Sequence, residues 1–273
     1  MPLATSNRLP ISVCLISGAE EKRIGDALES VARWTTEIIV VLNQDVHDRT
    51  EEIAIRQGAK VYREPWKGHV AQKNSAANKA RQDWILGLDT DEVVSAELRQ
   101  EIHELFAKPA KLKAFAGFSF PRRTWFCGRW IRHGDWYPDR GTRLWRRDRG
   151  EWAGVDPHDK LTVQGRIGRL RSDLLHYNAN ALDGQLAKIG PYSDAFVRDA
   201  LRHRRQATWI DFGLRPAWRF LRAYFLRLGF LDGWQGYYIA WMGAFHSVTR
   251  YAKLREAATQ RTSDISAPHR RGN

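Results

Sequence analysis

In the stretch "WILGLDTDEVVS", residues 84–95, an apolar run ends directly in three acidic residues, Asp89, Asp91 and Glu92. A short uninterrupted apolar run is typical of a strand buried on both faces. Like charges this close repel one another, so we expect a positive partner among them. Carboxylates at a strand end suit Mg²⁺ or Mn²⁺, although Asp91 and Glu92 at a helix N-terminus would be an alternative explanation.

Apolar runs and helical periodicity alternate upstream of this stretch. The pattern predicts strands over 11–16, 37–42, 60–62 and 84–88, separated by helices over 20–32, 50–57 and 70–81. Strands that alternate with helices indicate an α/β fold with a mostly parallel sheet. Ligands of such sheets bind at the carboxyl ends of the strands, so we expect the segments that follow three of the strands to converge on one crevice. These segments are Ser17–Glu20, Asn43–Asp48 and Asp89–Glu92.

The composition changes after residue 115. Residues 115–180 are dense in Arg and Trp, with Gly and Pro between them, which favours short strands and long loops. Helical periodicity returns from 181 to 256, and a polar segment follows. We therefore expect a first domain over 1–180, a helical C-terminal extension over 181–256 and a disordered tail over 257–273.

The net charge of +13 in 273 residues indicates an anionic partner. Nucleic acid is one such partner, and the 12 tryptophans would suit base stacking. Acidic residues at the predicted strand ends would repel phosphates of a nucleic acid, so we expect no nucleic-acid partner. The first residues lack the apolar region of a signal peptide, and we expect no membrane-spanning helix because no run of about 20 apolar residues occurs.

Several motifs in order resemble glycosyltransferase family 2, which has the GT-A nucleotide-sugar-binding fold. They are "ISVCLISGAEEKRI" (11–24), "EIIVVLNQDVHDRTEEIAIRQGAKVY" (37–62), "AQKNSAANKARQDWILGLDTDEVVSAEL" (71–98), "RLW" (143–145) and "LDGWQGYYIA" (231–240). Within the family they are similar to bacterial lipopolysaccharide-core glycosyltransferases. The resemblance implies inverting transfer of a hexose from a nucleotide-sugar donor with a divalent metal, Mg²⁺ or Mn²⁺, at the DxD motif. It makes residues 1–180 the catalytic domain.

Carried over residue by residue, the resemblance implies a donor site and a metal site. Asp91 would bind the metal, and Asp89 would contact the donor ribose or the metal through water. A late histidine of the family's metal site matches His176. Four further residues would contact the nucleotide sugar: Ser17, Glu20, Asn43 and Lys73. Asn43 stands where the family commonly has Asp, and Lys73 would face the diphosphate.

Inverting transfer needs a general base that takes the proton of the acceptor hydroxyl. The resemblance places this base in "EWAGVDPHDKL", residues 151–161, where Asp159 is the first candidate and Asp156 the rival. An Asp that only forms a loop turn is the structural alternative. Arginines of the middle segment are further candidates to hold a diphosphate or an anionic acceptor: Arg122, Arg123, Arg129, Arg132, Arg143, Arg146 and Arg147.

The expected acceptor is an anionic glycolipid of the cell envelope, as the lipopolysaccharide-core resemblance implies. A polyprenyl-phosphate or protein acceptor is the alternative, and a catalytically dead scaffold is a third interpretation that the DTD and His-Asp motifs disfavour. Residues 215–251 combine Trp, Tyr and Phe with arginines, a mixture typical of the membrane interface. We therefore expect a cytoplasmic protein that binds peripherally to the anionic cytoplasmic face of the inner membrane through this segment and the basic run Arg198–Arg205. The same aromatic residues would otherwise form a helical core.

Overall fold

The computed structural model describes residues 8–155, 158–177 and 181–266. It divides into two compact units. Unit 1 comprises Met1–Thr124 and Asp139–Tyr177, and unit 2 comprises Trp125–Pro138 and Asn178–Asn273. The middle segment 125–138 thus groups with the C-terminal helices, whereas the expected boundary placed it in the first domain.

Unit 1 begins with the predicted alternation of strands and helices. Its strands are β1 (Leu9–Ser17), β2 (Thr35–Asn43), β3 (Lys60–Glu64) and β4 (Trp84–Gly87), and the connecting helices are α1 (Ile24–Ala32), α2 (Thr50–Arg56) and α3 (His69–Asn78). The strands are parallel in the order β3-β2-β1-β4. The chain order reverses at β1, which places a crevice at the carboxyl ends of β1 and β4.

Both faces of this sheet are buried, as the apolar runs predict. Val13 and Val40 lie in the hydrophobic cluster that contains α1, and Cys14 and Val41 lie in a second cluster with Ala76 of α3. Successive strand residues point to opposite faces, so one continuous apolar run supplies both clusters.

The rest of unit 1 extends the sheet with mostly antiparallel pairs. The further elements are β5 (Glu92–Val94), α4 (Ala96–Phe106), α5 (Pro109–Lys113), β6 (Gly117–Phe126), β8 (Asp139–Arg146), β11 (Ile167–Arg169) and β12 (Leu174–Tyr177), with β7 (Arg129–Trp130) belonging to unit 2. The strand order is β3-β2-β1-β4-β8-β6-β12-β5. A separate antiparallel hairpin consists of β9 (Gly150–Val155) and β10 (His158–Val163). The α/β fold class with a helical C-terminal region is confirmed.

Unit 2 is mostly helical, and its described strand residues are the end of β6 and β7. Its helices are α6 (Ala181–Arg202), α7 (Trp209–Phe212), α8 (Leu214–Leu221) and α9 (Gly233–Ser266), with a π-helical turn over Arg222–Leu226 and 3₁₀ turns over Gly134–Trp136 and Gly229–Asp232. Phe126 and Ile131 pack with Ile239 of α9 in one buried cluster, and Tyr251 and Leu254 pack with Ala200 in another. Asp232 is buried and accepts hydrogen bonds from the backbone of Arg132 and His133.

Helix α9 extends beyond residue 256, where the sequence predicts the helical region to end. Residues 257–266 are the last part of α9 and not a disordered tail, because the helix continues through this polar segment; residues 267–273 lie outside the described residues. Across the described ranges, every helix is either too short or too polar to cross a bilayer.

Candidate active site

The carboxyl ends of β1, β2 and β4 lie at one edge of the sheet, as their parallel pairing requires. Ser17 ends β1 and Asn43 ends β2, and Asp89 follows β4 by one residue. The Ser17 hydroxyl donates to the carbonyl of Gly18 at 2.9 Å, and Asn43 Oδ1 accepts from the backbone N–H of Asp45 at 3.4 Å. Both side chains are therefore held in local turns at this edge.

Asp89 is held between two cations that come from distant parts of the chain. Its Oδ1 lies 3.0 Å from Lys73 Nζ of α3, and its Oδ2 lies 3.0 Å from Arg143 Nη2 of β8. Burial on its own would raise the pKa of Asp89, but the charges of Arg143 and Lys73 outweigh it and hold that pKa well below its ordinary value. Asp89 is therefore an anion whose charge the protein itself neutralises.

Glu92 is fully buried and shares one of these cations. Its Oε1 accepts from Arg143 at 3.0 Å and from Arg122 at 3.3 Å, and its Oε2 accepts from the backbone N–H of Asp89 at 3.0 Å. Burial would lower the pKa of Arg143, but Glu92 and Asp89 raise it above its ordinary value. The positive partner expected among the acidic residues of the 84–95 stretch is thus mainly Arg143, which is brought there by the antiparallel pairing of β4 with β8.

Lys73 joins Asp89 to the candidate base. Its Nζ donates to Asp159 Oδ2 at 2.8 Å while it contacts Asp89, and it lies 4.5 Å from the ring centroid of Trp152. The neighbouring Asn74 fixes this arrangement, because its side chain exchanges two hydrogen bonds of 2.8 and 2.9 Å with the backbone of Trp152 on β9. Lys73 and Asn74 therefore anchor α3 to the β9–β10 hairpin and place the ammonium between two carboxylates.

Asp91 and His176 form the second group of predicted residues. His176 Nε2 lies 3.3 Å from Asp91 Oδ2, and its Nδ1 lies 3.2 Å from the hydroxyl of Thr124. The antiparallel pairing of β5 with β12 aligns His176 with Glu92, next to Asp91. Burial would raise the pKa of Asp91, but the contact with His176 lowers it below its ordinary value.

Glu20 is electrostatically coupled to this second group. Burial raises the pKa of Glu20, and the negative charge of Asp91 raises it further, although Arg23 at 2.7 Å opposes both effects. The backbone N–H of Glu20 donates to Thr50 at the start of α2, which fixes the loop after β1.

The donor atoms of Asp91 and His176 fit a divalent cation that completes its coordination with substrate oxygens and water. Mg²⁺ in particular is usually held by one or two protein carboxylates together with substrate phosphates. A ligating histidine is commonly oriented through its other ring nitrogen, which is the role that Thr124 has for His176. The described residues contain no cluster of three or more His, Cys, Asp or Glu side chains that would bind a metal without substrate.

The predicted residues thus divide into three sets. The structure brings Lys73 into direct contact with both Asp89 and Asp159, and it pairs Asp91 with His176 and couples Asp91 electrostatically to Glu20. Ser17 and Asn43 lie at the same strand edge, and within the described ranges their side chains make only the local hydrogen bonds given above. The rival base Asp156 lies outside the described residues.

Sequence reasoning missed Asn74 and Trp152, gave Glu92 no separate role within the acidic stretch, and did not distinguish Arg143 from the other middle-segment arginines. Arg143 directly precedes the fully buried Leu144 and Trp145 in β8. An arginine beside such apolar neighbours in the RLW motif was the available signal for a buried cation.

Comparisons with known proteins agree with this description. The family model described as Glycosyl transferase family 2 matches residues 12–164. A protein of Rickettsia bellii (strain RML369-C) named uncharacterized glycosyltransferase is 30% identical over 265 residues, which cover 92% of this chain and 87% of the relative. The lipopolysaccharide core biosynthesis glycosyltransferase LpsC of Rhizobium meliloti (strain 1021) is 27% identical over 254 residues, which cover 90% and 92%.

Among solved structures, S. aureus TarS 1-349 in complex with UDP-GlcNAc aligns with 93% of this chain and 92% of its own, at 13% identity and a TM-score of 0.49. The match to the family model extends over more than half of the chain and includes most of β1, all of β2 to β4 and the residues that meet around Lys73. The chain therefore belongs to glycosyl transferase family 2 and is a glycosyltransferase with the GT-A fold.

Proposed function

We propose that this enzyme transfers a hexose, with inversion at the anomeric carbon, from a nucleotide-sugar donor to an anionic glycolipid of the cell envelope. The name of the Rhizobium meliloti relative supports the lipopolysaccharide inner core as the acceptor. The observation that carries the proposal is the contact of Lys73 with both Asp89 and Asp159 at the carboxyl edge of the sheet. It joins a donor-side carboxylate to a candidate base through one ammonium group.

Asp159 is the proposed general base. Its carboxylate accepts the proton of the acceptor hydroxyl as the hydroxyl oxygen forms a bond to the anomeric carbon of the donor. The bond from that carbon to the diphosphate oxygen breaks, and the nucleoside diphosphate leaves with the electron pair. Lys73 holds Asp159 at 2.8 Å and thereby orients the carboxylate oxygen that accepts the proton.

Lys73 and Arg143 are the proposed diphosphate-facing cations. Both already contact Asp89, and Arg143 Nη1 is buried without a hydrogen-bond partner, so it has a donor available for a phosphate oxygen. Asp91 and His176 would hold a divalent metal, Mg²⁺ or Mn²⁺, which supplies positive charge to the leaving diphosphate.

The remaining predicted residues form the proposed nucleotide site. Ser17 and Asn43 end β1 and β2, and Glu20 lies in the loop after β1, next to the crevice where parallel α/β sheets bind their ligands. We propose that Asp89 contacts the donor ribose through a face that its two cations leave open.

We also propose that the protein works in the cytoplasm, bound peripherally to the cytoplasmic face of the inner membrane. A glycolipid acceptor is confined to that surface, and residues 215–251 together with Arg198–Arg205 supply aromatic and basic side chains suited to it. We propose no nucleic-acid partner.

The test of this function is Asp159→Asn. The amide keeps the shape of the side chain but accepts no proton, so we expect donor affinity to change little while turnover falls by about 10²-fold or more. The donor is identified first by thermal shifts against nucleotide sugars with Mn²⁺, because a bound ligand raises the melting temperature.

Asp148→Asn is the matched control, since Asp148 lies in the turn after β8 and its ion pairs within the described ranges are with the neighbouring Arg146 and Arg149. Full turnover by Asp159→Asn would contradict the assignment of the base, and loss of turnover in Asp156→Asn instead would move that role to Asp156.

A further inference from the structure

Three arginines of unit 2 share one carboxylate. Arg222 Nη2 lies 2.9 Å from both oxygens of Asp135, Arg227 Nη1 lies 3.2 Å from Oδ1, and Arg219 Nε lies 3.7 Å from Oδ2. Asp135 is mostly buried and offers one negative charge to three positive ones. We name Arg219, Arg222, Arg227 and Asp135 the arginine cluster; it carries two positive charges in excess.

The backbone conformation explains why Arg222 and Arg227 lie on the same side of this segment. Helix α8 passes at Arg222 into the π-helical turn Arg222–Leu226, and the N–H of Arg227 donates to the carbonyl of Arg222 at 2.8 Å. Residues five apart are thereby stacked, so the guanidinium groups of Arg222 and Arg227 both reach Asp135. Single π-helical turns within helices are frequent at functional sites.

Helix α9 adds further positive charge through Arg250. Burial lowers the pKa of Arg219, and the charges of Arg250 and Arg222 lower it further against the opposing effect of Asp135. The side chains of Arg219, Arg222 and Arg227 are 35%, 39% and 49% exposed, so guanidinium N–H groups stay accessible beside Asp135. Accessible guanidinium groups in excess over carboxylates are a binding site for phosphate oxygens.

A large exposed apolar surface lies on the same α8–α9 segments. We define this aromatic surface by side chains that are each about half exposed or more: Trp218, Leu221, Phe225, Leu226, Trp234, Tyr237, Trp241 and Phe245. Phe220 connects its two sides, with ring-centroid distances of 4.9 Å to Trp241 and 6.0 Å to Tyr237. Exposed apolar patches of this kind mark interaction surfaces, and Trp and Tyr beside arginines are typical of a membrane interface.

We propose that the arginine cluster binds the phosphate of an anionic phospholipid headgroup while the aromatic surface inserts at the level of the headgroups. The partner follows from charge complementarity, because a lipid phosphate supplies the negative charge that Asp135 alone does not. Asp135 keeps the guanidinium groups oriented. The exposed apolar area of the aromatic surface is buried against lipid when the protein binds. The use of this site, to hold the enzyme at the surface that carries its acceptor, rests on the proposed function.

The test is co-sedimentation of the full chain with vesicles of phosphatidylcholine alone and of phosphatidylcholine with phosphatidylglycerol. Arg219→Gln/Arg227→Gln removes the two arginines with the longer contacts to Asp135 and leaves Arg222 to pair with it, so that the buried carboxylate stays compensated. We expect binding to the anionic vesicles only, and an affinity about tenfold or more weaker for this variant, since each basic residue near the surface contributes to the attraction.

The matched control is Arg169→Gln/Arg171→Gln, which removes the same charge from exposed arginines of unit 1 and should bind as the wild type does. Equal loss in both double variants would overturn the proposal, because the attraction would then depend on net charge alone. Failure of the wild type to bind anionic vesicles would also overturn it, as would self-association that buries the aromatic surface.

Two further measurements distinguish a lipid headgroup from a soluble phosphate as the ligand, and failure of vesicle binding from failure of the proposed transferase function. Inorganic phosphate, at matched ionic strength, tests for a soluble ligand, and stabilisation by phosphate without vesicle binding would overturn the assignment to lipid. Nucleoside diphosphate binding is measured on the same wild-type sample, so failure of the proposed transferase function is recognised independently of the vesicle result.

Discussion

At the scale of single residues, Arg143 compensates more buried charge than any other side chain described around the site. It contacts Asp89 and the fully buried Glu92. We predict that Arg143→Met lowers the free energy of unfolding by about 3–5 kcal/mol, the usual cost of leaving a buried charge without its partner. Arg146→Met on the same strand removes an exposed pair with Asp148 and should cost at most about 1 kcal/mol. Urea unfolding measures both.

The pH dependence of the stability of Arg143→Met tests whether the lost ion pairs cause its destabilisation. Because the pKa of Asp89 is held below its ordinary value, its ion pairs contribute fully above about pH 3.9 and are lost as the pH falls further. The difference between wild type and Arg143→Met should therefore shrink in acid. Adding Glu92→Gln should recover part of the loss, and additivity of the two substitutions would contradict the pairing.

Asp91 is the residue by which metal binding is tested. We predict that wild-type affinity for a nucleoside diphosphate falls about tenfold or more when EDTA replaces Mn²⁺, and that Asp91→Ala shows no such difference. The substitution loses the contact with His176 but also relieves repulsion from Asp89, so it should cost little stability. Isothermal titration gives the affinities. Equal affinities with Mn²⁺ and EDTA in the wild type would refute a metal at Asp91.

At the scale of elements, helix α9 approaches the turn Gly229–Asp232 as closely as glycine permits. A Cβ on Gly236 would lie 1.8 Å from the carbonyl oxygen of Gly229, so the backbone itself would have to move. We predict that Gly236→Ala destabilises unit 2 by about 1–3 kcal/mol or more and weakens vesicle binding, because the arginine cluster and aromatic surface depend on this packing.

Gly25→Ala in α1 is the control for that substitution. Its Cβ would lie at an ordinary contact distance, 3.6 Å, from Ile53, so alanine should stabilise the helix by up to about 1 kcal/mol. Thermal unfolding compares the two variants. Equal melting temperatures would show that the close approach in unit 2 has no energetic consequence.

At the scale of the whole molecule, the segment 125–138 determines where the chain can be divided to obtain the catalytic domain alone. Phe126 and Ile131 are fully buried in a cluster with Ile239 of unit 2. We predict that a chain shortened to residues 1–180 aggregates because it exposes these side chains. The same chain with a short Gly-Ser linker in place of 125–138 should be monomeric in light scattering and should bind nucleoside diphosphate. A monomeric 1–180 chain would support the boundary expected from the sequence instead.

Local sequence determined the first half of unit 1. The apolar runs of β1, β2 and β4 are buried on both faces, and parallel pairing alone requires that the residues after them share one edge. Family resemblance then marked Lys73, Asp89 and Asp159 as members of one site. Periodicity sufficed there because strands and helices of this kind are specified by residues a few positions apart.

Tertiary structure decided which side chains meet. Arg143 reaches Asp89 only through the pairing of β4 with β8, and His176 reaches Asp91 only through the pairing of β5 with β12. The arginine cluster likewise needs Asp135 and a turn almost a hundred residues later in the chain. Such contacts depend on strand register and helix packing between distant segments, and no local pattern encodes them. The sequence by itself therefore determined the class of fold and the candidate residues, whereas tertiary pairing decided their ion-pair partners and the extent of unit 2.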